Sequence, residues 1–267
     1  MKKIDFAADP LVVFKHSKTP AGLYARQKWL DETGKNQWRE DFLETVGYLY
    51  HGQSGDGSWD HSPMETIRRL FDLHLTVRAS DLSIEAALRW LEGQAQTVSR
   101  DQNASSDLEL QGVPFRKGRP DVLYKSAAVF LSTLFGFAER PQTRQFCRDL
   151  TQTLNRLEAV ANDAASVSNI LRALVVQPDP LQQKGVKTII GWIDGAQQQD
   201  GTWGELLPFY QTVNALAHMA CPETDRMLAK AFRRLRKTQH PGGDWGDRDC
   251  EWNTFLVFHA RRNWKML

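Results

Sequence analysis

QHPGGDWGDRDCEWNTFLVFH, Gln239 to His259, runs a glycine-rich turn ending in Trp245 into a tight acidic cluster and then into an apolar run. The same grammar occurs twice more, as QSGDGSW from Gln53 to Trp59 and QQQDGTW from Gln197 to Trp203. In each case a Gln stands six residues before the Trp and a Gly two before it. Each turn is followed by a polar residue and a Thr that open an apolar helix: Glu65-Thr66, Gln211-Thr212 and Asn253-Thr254. A repeated unit of this kind decides the architecture, because one unit cannot bury its own apolar face and must stack on its neighbours.

Between the turns, the spacing of apolar residues predicts helices. The first is Ala21 to Leu30, after Pro20 at a first helical position. Glu40 to Gln53 follows, with Phe42, Val46, Leu49 and Tyr50 on one stripe. METIRRLFDLHLTV after Ser62-Pro63 comes next, and then Asp81 to Gln94, with Asp81 as its N-cap. The end of that segment, WLEGQ, reads as a fourth, degenerate turn lacking its Trp. Asp121 to Ala138 is apolar nearly all round, as expected of a buried helix, and Thr143 to Leu157 is amphipathic. Ala164 to Val176, Leu181 to Gln197, Pro208 to Met219, Thr224 to Gln239 and Cys250 to Arg262 complete about eleven helices. Buried, small-residue-rich helices alternate with charged ones. Gln53 to Gln94 is 41 residues and Gln197 to Gln239 is 42, the length of one helix pair with its turns. The expectation is an all-α, single α/α toroid of five to six helix hairpins over residues 1–267, with six inner and five outer helices. An open solenoid of helix pairs would have a more uniform period. Residues 97–120, rich in Ser, Asp, Gln and Gly, interrupt the rhythm and read as a mobile loop near the pocket.

Composition narrows the function classes. The net charge is +2 with scattered basic residues, which gives no footprint for nucleic acid. No stretch approaches the roughly 20 consecutive apolar residues of a spanning helix. MKKIDFAADP has no apolar core of a secretory signal, so a cytoplasmic protein is expected. Cys147, Cys221 and Cys250 are odd in number and far apart, unlike a disulfide framework or a zinc ribbon.

The turn residues have a structural explanation of their own. The Gly takes a left-handed conformation that other residues resist. The Trp covers the turn with apolar surface and needs one acceptor for its indole N–H. The Gln can satisfy helix-end carbonyls. Gln-x3-Gly-x-Trp closing an outer helix also resembles the QW repeat of the terpene cyclase and protein prenyltransferase superfamily. The matching positions are Gln53, Gly57 and Trp59; Gln197, Gly201 and Trp203; and Gln239, Gly243 and Trp245. The resemblance implies an α/α barrel; it covers most of the chain and is weak between Gln94 and Leu181.

Within that superfamily the stretch after Trp245 resembles class II terpene cyclases such as squalene-hopene cyclase. These carry a DxDD motif after a Gly-Gly-Trp turn, and its middle Asp protonates a double bond or epoxide. Asp247-Arg248-Asp249-Cys250 occupies that place, and Asp249-Cys250 resembles the Asp-Cys pair of oxidosqualene cyclases. Glu251-Trp252 depart from the family's Thr-Ala, and Arg248 sits where it would quench an acid. The resemblance implies Asp249 as the acid, with Asp247 and Glu251 crowding it so that it stays protonated. The competing explanation is helix capping, since acidic side chains favour a first helical turn.

Protein prenyltransferases, which need a partner subunit, imply a zinc site of Asp-x-Cys plus a distant His. Arg248 holds the Asp position here. Cys250 and His259 are nine residues apart, about 900° on one helix, so they face opposite ways and cannot share a metal. His61 or His218 would have to complete such a site with Cys250 and an Asp. No cofactor is expected, with zinc as the minority alternative. Asp60 and His61 should lie at the same mouth as the acidic cluster, as an acid/base pair or as a helix cap. His74 and His218 lie within apolar runs and read as core histidines. Arg116, Lys117 and Arg119 suit an anion or a solvated loop. Tyr124, Phe209, Tyr210 and Trp252 are the expected aromatic lining that stabilises cationic intermediates.

The leading expectation is therefore a terpene-cyclase-like protein holding an isoprenoid or similar hydrophobic molecule in a central barrel cavity, with protonation-initiated chemistry. A non-catalytic toroid that binds a lipid or a protein partner is the second reading. A zinc prenyltransferase-like or carbohydrate-active α/α barrel is the third, the latter requiring two separated pocket carboxylates.

Overall fold

The computed structural model describes residues 6–98, 112–155, 163–178, 180 and 184–266. Eleven α-helices and one short 3-10 helix account for it, and among the described residues there is no strand, only an isolated bridge between Gln53 and Trp59. The helices are α1 Pro20–Lys28, α2 Asn36–Tyr50, α3 Pro63–Thr76, α4 Leu82–Thr97, α5 Pro120–Leu134, α6 Pro141–Asn155, α7 Ala164–Leu174, α8 Lys184–Ala196, α9 Phe209–Leu216, α10 Pro222–Thr238 and α11 Cys250–Met266. Pro opens α1, α3, α5 and α10, and the side chains of Thr19, Ser62, Asp81 and Asp163 accept backbone N–H groups at the starts of α1, α3, α4 and α7. All eleven predicted helices are present. The degenerate turn at WLEGQ is not: α4 runs through Gln94 to Thr97, because nothing in that stretch supplies a left-handed glycine. The core of the predicted 97–120 loop, residues 99–111, and the beginning of the helix expected from Leu181 lie outside the described residues.

The chain divides into two compact units, residues 1–43 with 187–267, and residues 44–186. In the second unit α3, α5 and α7 pack on one another as an inner layer, and α4 and α6 pack against them from outside. The apolar composition of α5 follows from that position: Ser126 to Ser132 is buried without interruption. The segment leading into α5 is pinned down. Val113 and Phe115 are buried, and Asn169 on α7 accepts from the Arg116 N–H and donates to the Arg116 carbonyl at 2.8 Å each. In the first unit α9, α11 and α1 form the inner layer, and α10 packs on α9. The 3-10 helix Pro10–Phe14, unforeseen in the sequence, packs on α1 and α11.

The three repeated turns are built alike. Gln53, Gln197 and Gln239 each donate through Nε2 to the carbonyl of the turn Gly at 2.9, 3.1 and 2.8 Å. Each also donates to a carbonyl in the next outer element: Ser83, Met227 and Ala8. The glycines have φ of +95°, +91° and +93°, and a Cβ on them would lie 2.6, 2.8 and 2.4 Å from the backbone of Ala86, Lys230 and Asp9. Glycine is therefore required twice over, by conformation and by close approach. Trp59, Trp203 and Trp245 are buried to within 2 %. At roughly 150–250 Å² per Trp and about 25 cal/mol per Å², each contributes on the order of 4–6 kcal/mol before entropy is subtracted. Trp203 and Trp245 donate to the carbonyls of Ile193 and Leu235, ten residues back. Gln239 finds its outer partner at Ala8, just ahead of Pro10–Phe14, where the other two turns find the early turns of α4 and α10. Pro10–Phe14 thus stands, within its unit, in the place of an outer helix.

α1 is tied to the start of α2 by a buried ion network. Arg26 bonds Glu32 through Nε and Asp41 through Nη1, both at 2.8 Å, and Nη1 also donates to the Ser17 carbonyl. Lys18, Lys35 and Gln37 complete the partners of the two carboxylates. The Arg26 guanidinium, first among several partners, holds Asp41 down at a pKa of about 2.

Candidate aromatic wall and acidic groups

α11 begins where the third turn ends. Asp249 takes a left-handed φ of +50°, and its carbonyl accepts the Asn253 N–H at 2.9 Å. Asn253 folds back through Nδ2 onto the carbonyls of Trp245 and Arg248, and Thr254 donates to the Cys250 carbonyl. With its first turn fixed, α11 sets Trp252, Phe255 and His259 along one face at helical spacing. The ring centroids of Trp252 and Phe255 are 5.4 Å apart with planes at 9°, and those of Phe255 and His259 are 5.8 Å apart at 15°.

α1 supplies the rest. Tyr24 meets Phe255 edge-on at 5.3 Å and His259 at 6.0 Å. Trp29, at the C-cap of α1, lies 4.7 Å from Phe258, 5.3 Å from Phe255 and 5.4 Å from Tyr24. Only Phe255 is fully buried; Tyr24, Trp29, Trp252, Phe258 and His259 keep open surface. The result is a wall of packed aromatic rings, a kind of surface that suits an apolar or cationic group. Of its members only Trp252 was expected as lining. The expected Phe209 and Tyr210 pair edge-on at 5.3 Å on α9, with Phe209 also against Trp203. Tyr124 is half-buried on α5, and burial raises its hydroxyl pKa.

The predicted acidic cluster is placed differently from its expectation. Asp247 and Asp249 are exposed. Glu251 is turned onto α1, where Oε1 accepts from Ser17 Oγ at 2.8 Å and from Thr19 Oγ1. Glu251 thus ties the segment leading into α1 to the first turn of α11. Asp247 instead acts on Tyr210, whose pKa is raised by burial first and by the Asp247 charge second. Cys250 donates to the Gly246 carbonyl at 2.7 Å; burial first, then a hydrogen bond with Asp244, raises its thiol pKa. Among the described residues no group of three or more His, Cys, Asp or Glu is arranged to hold a metal ion.

Asp60 and His61 both lie exposed on a left-handed turn, with φ of +54° and +50°. His61 pairs through Nδ1 with Asp56 at 3.0 Å, not with Asp60, and the cap of α3 is Ser62, which accepts from Glu65 N. His74 packs edge-on to Phe135, and burial lowers its pKa to about 4.

A carboxyl that sequence reasoning passed over stands out on α3. Asp72 retains some accessible surface yet lies deep in the fold, and loss of hydration pushes its pKa up to about 7. Glu65 adds to the rise, while Arg68 and Arg69 oppose it less than burial favours it. Among the described residues its carboxyl makes no hydrogen bond, because Glu65 has taken both Arg68 and Arg69. The signal was an Asp set among Leu70, Phe71, Leu73 and Leu75, where α3 is otherwise buried. A polar cleft of about 780 Å³ also opens along α6, lined by residues such as Arg144, Cys147, Arg148 and Gln177. Among the described residues that line it there is no aromatic side chain.

No protein-family model matches the sequence, and no curated protein matches it. Solved structures do. A variant of type II terpene cyclase MstE from Scytonema, in complex with its substrate geranylgeranyl dihydroxybenzoate, superposes with a TM-score of 0.60 at 12% identity, covering 98% of this chain and 90% of that one. An apo variant of the same enzyme gives 0.56 at 12%, covering 100% and 91%. A protein from Actinoplanes gives 0.60 at 16%, covering 94% and 90%. At such identities the likeness shows the fold alone: this chain is all-α, of the α/α-toroid class, and terpene-cyclase-like in its arrangement of helices.

Proposed function

We propose that this protein binds an isoprenoid-like hydrophobic molecule along the wall of Tyr24, Trp29, Trp252, Phe255, Phe258 and His259, and acts as a protonation-initiated cyclase of the class II kind. The observation that carries the reading is that wall: six aromatic rings contributed by α1 with its C-cap and by α11, five of them only partly buried. Aromatic faces of this kind stabilise positive charge. The MstE complex, whose fold this chain shares, adds that such a fold accommodates a geranylgeranyl chain. The resemblance of the repeated turns to QW repeats, and of Asp247 to Cys250 to the squalene-hopene cyclase motif, supports the same class.

Protonation needs a carboxyl that keeps its proton near neutral pH. Asp249, implied by the motif, stays a candidate with Asp247, but it is exposed. In the reaction an acid O–H adds its proton to a carbon–carbon double bond or epoxide. The cation then closes rings by attack of further double bonds, and loss of a substrate proton restores neutrality. Product and substrate are isomers. Incubation with geranylgeranyl dihydroxybenzoate in D2O tests this: cyclisation yields a product carrying a single solvent deuterium. Parallel Asp247→Asn and Asp249→Asn variants test the acid, since loss of the donor abolishes deuterium incorporation. Binding without any isomeric product would reduce the reading to a non-catalytic lipid-binding toroid.

A further inference from the structure

The rings of the wall include one that can carry charge. His259 stacks on Phe255, meets Tyr24 edge-on and lies 5.5 Å from the His218 ring. An imidazolium at this position would place a positive charge among rings that otherwise attract one.

The surroundings of His259 determine its proton. Asn214 on α9 is buried, 4 % exposed, and its Nδ2 donates to the Leu256 carbonyl of α11 at 3.0 Å. A carbonyl only accepts, so the amide end of Asn214 is fixed with its NH2 toward α11. The second N–H of that group is directed at His259 Nδ1, 3.2 Å away. Asn263 extends the same pattern, placing Nδ2 3.4 Å from His259 Nδ1 and 3.3 Å from His218 Nε2. A ring nitrogen that accepts a hydrogen bond carries no proton, so neutral His259 bears its hydrogen on Nε2. Protonating Nδ1 as well would set an N–H against the amide N–H of a buried side chain, at the cost of an unsatisfied donor.

We propose that Asn214 is a positioning residue that locks His259 in its neutral Nε2–H form, so that the imidazole serves the aromatic wall as an uncharged face. The proposal rests on the wall being the binding surface, and the lock itself is measured without any ligand.

Long-range proton–nitrogen NMR spectra of histidine-labelled protein read the tautomer directly. At neutral pH the expected result is an unprotonated Nδ1 and a protonated Nε2 on His259. In Asn214→Asp, which replaces the donor by an acceptor, Nδ1 becomes protonated. A wild-type His259 protonated at Nδ1 overturns the proposal even if the variant fails to fold. The role in the wall is read from binding of geranylgeranyl dihydroxybenzoate by tryptophan fluorescence. Asn214→Asp loses about tenfold or more in affinity, the equivalent of ~1.4 kcal/mol. Equal affinity in Asn214→Asp would refute the charge argument while leaving the binding reading intact. No binding by the wild type would refute the binding reading, and with it the role in the wall, whatever the NMR shows.

Discussion

Replacing Asp72 by Asn should stabilise the protein at and above neutral pH. The folded chain raises the Asp72 pKa from 3.8 to about 7, chiefly by burial. Each unit corresponds to about 1.36 kcal/mol, so ionising Asp72 in the native state costs roughly 4 kcal/mol relative to the unfolded chain. The sign follows from proton uptake. Between the unfolded and folded pKa values the native state binds more protons than the unfolded state, so stability falls as pH rises through that window and levels off above about 7. Asn is nearly the same size and never ionises. Its advantage should therefore be near zero around pH 4 and grow to about 2–4 kcal/mol by pH 8. Urea unfolding of both proteins across that range, followed by tryptophan fluorescence and circular dichroism, gives the difference curve. A difference that does not change with pH, or an Asn variant less stable at pH 8, would refute the claim that Asp72 is a buried, protonated acid.

Three further outcomes follow from the packing. Asp41→Ala leaves the Arg26 guanidinium, 2 % exposed, without one of its carboxylates, and should cost about 3–5 kcal/mol in denaturant unfolding. In the wild type the Asp41 contribution, about 1–2 kcal/mol after screening near the surface, is present above the usual carboxylate pKa and is lost as pH falls toward 2, which acid titration of stability reads. Gly243→Ala combines a φ of +93° with a Cβ 2.4 Å from the Asp9 carbonyl, and should cost about 2–5 kcal/mol. Gly52→Ala, at φ +77° with open space around it, should cost only about 1–2 kcal/mol.

The helices and their pairing were legible because their causes are local. Gln53, Gly57 and Trp59 carry turn chemistry that can be read residue by residue, and the two other copies make the same bonds. Pro10–Phe14 was missed because five residues give no period; its role depends on Gln239 reaching Ala8 across 231 positions of sequence. The site was less legible. Spacing put Asp247, Asp249 and Glu251 close along the chain, but the orientation of Glu251 is decided by Ser17 and Thr19 in the segment just ahead of α1. Tyr24 and Trp29 looked like ordinary members of a first helix until α11 brought Phe255 and Phe258 against them. The apolar neighbours of Asp72 hinted at its burial, but how deep it lies in the fold is set by tertiary packing, which no window of sequence measures.

The most direct test of the binding surface is a crystal structure with geranylgeranyl dihydroxybenzoate at saturating concentration. The account predicts the polyprenyl chain in van der Waals contact with Tyr24, Trp29, Trp252 and Phe255. A ligand seated in the polar cleft along α6, or an aromatic wall left empty at saturation, would contradict it.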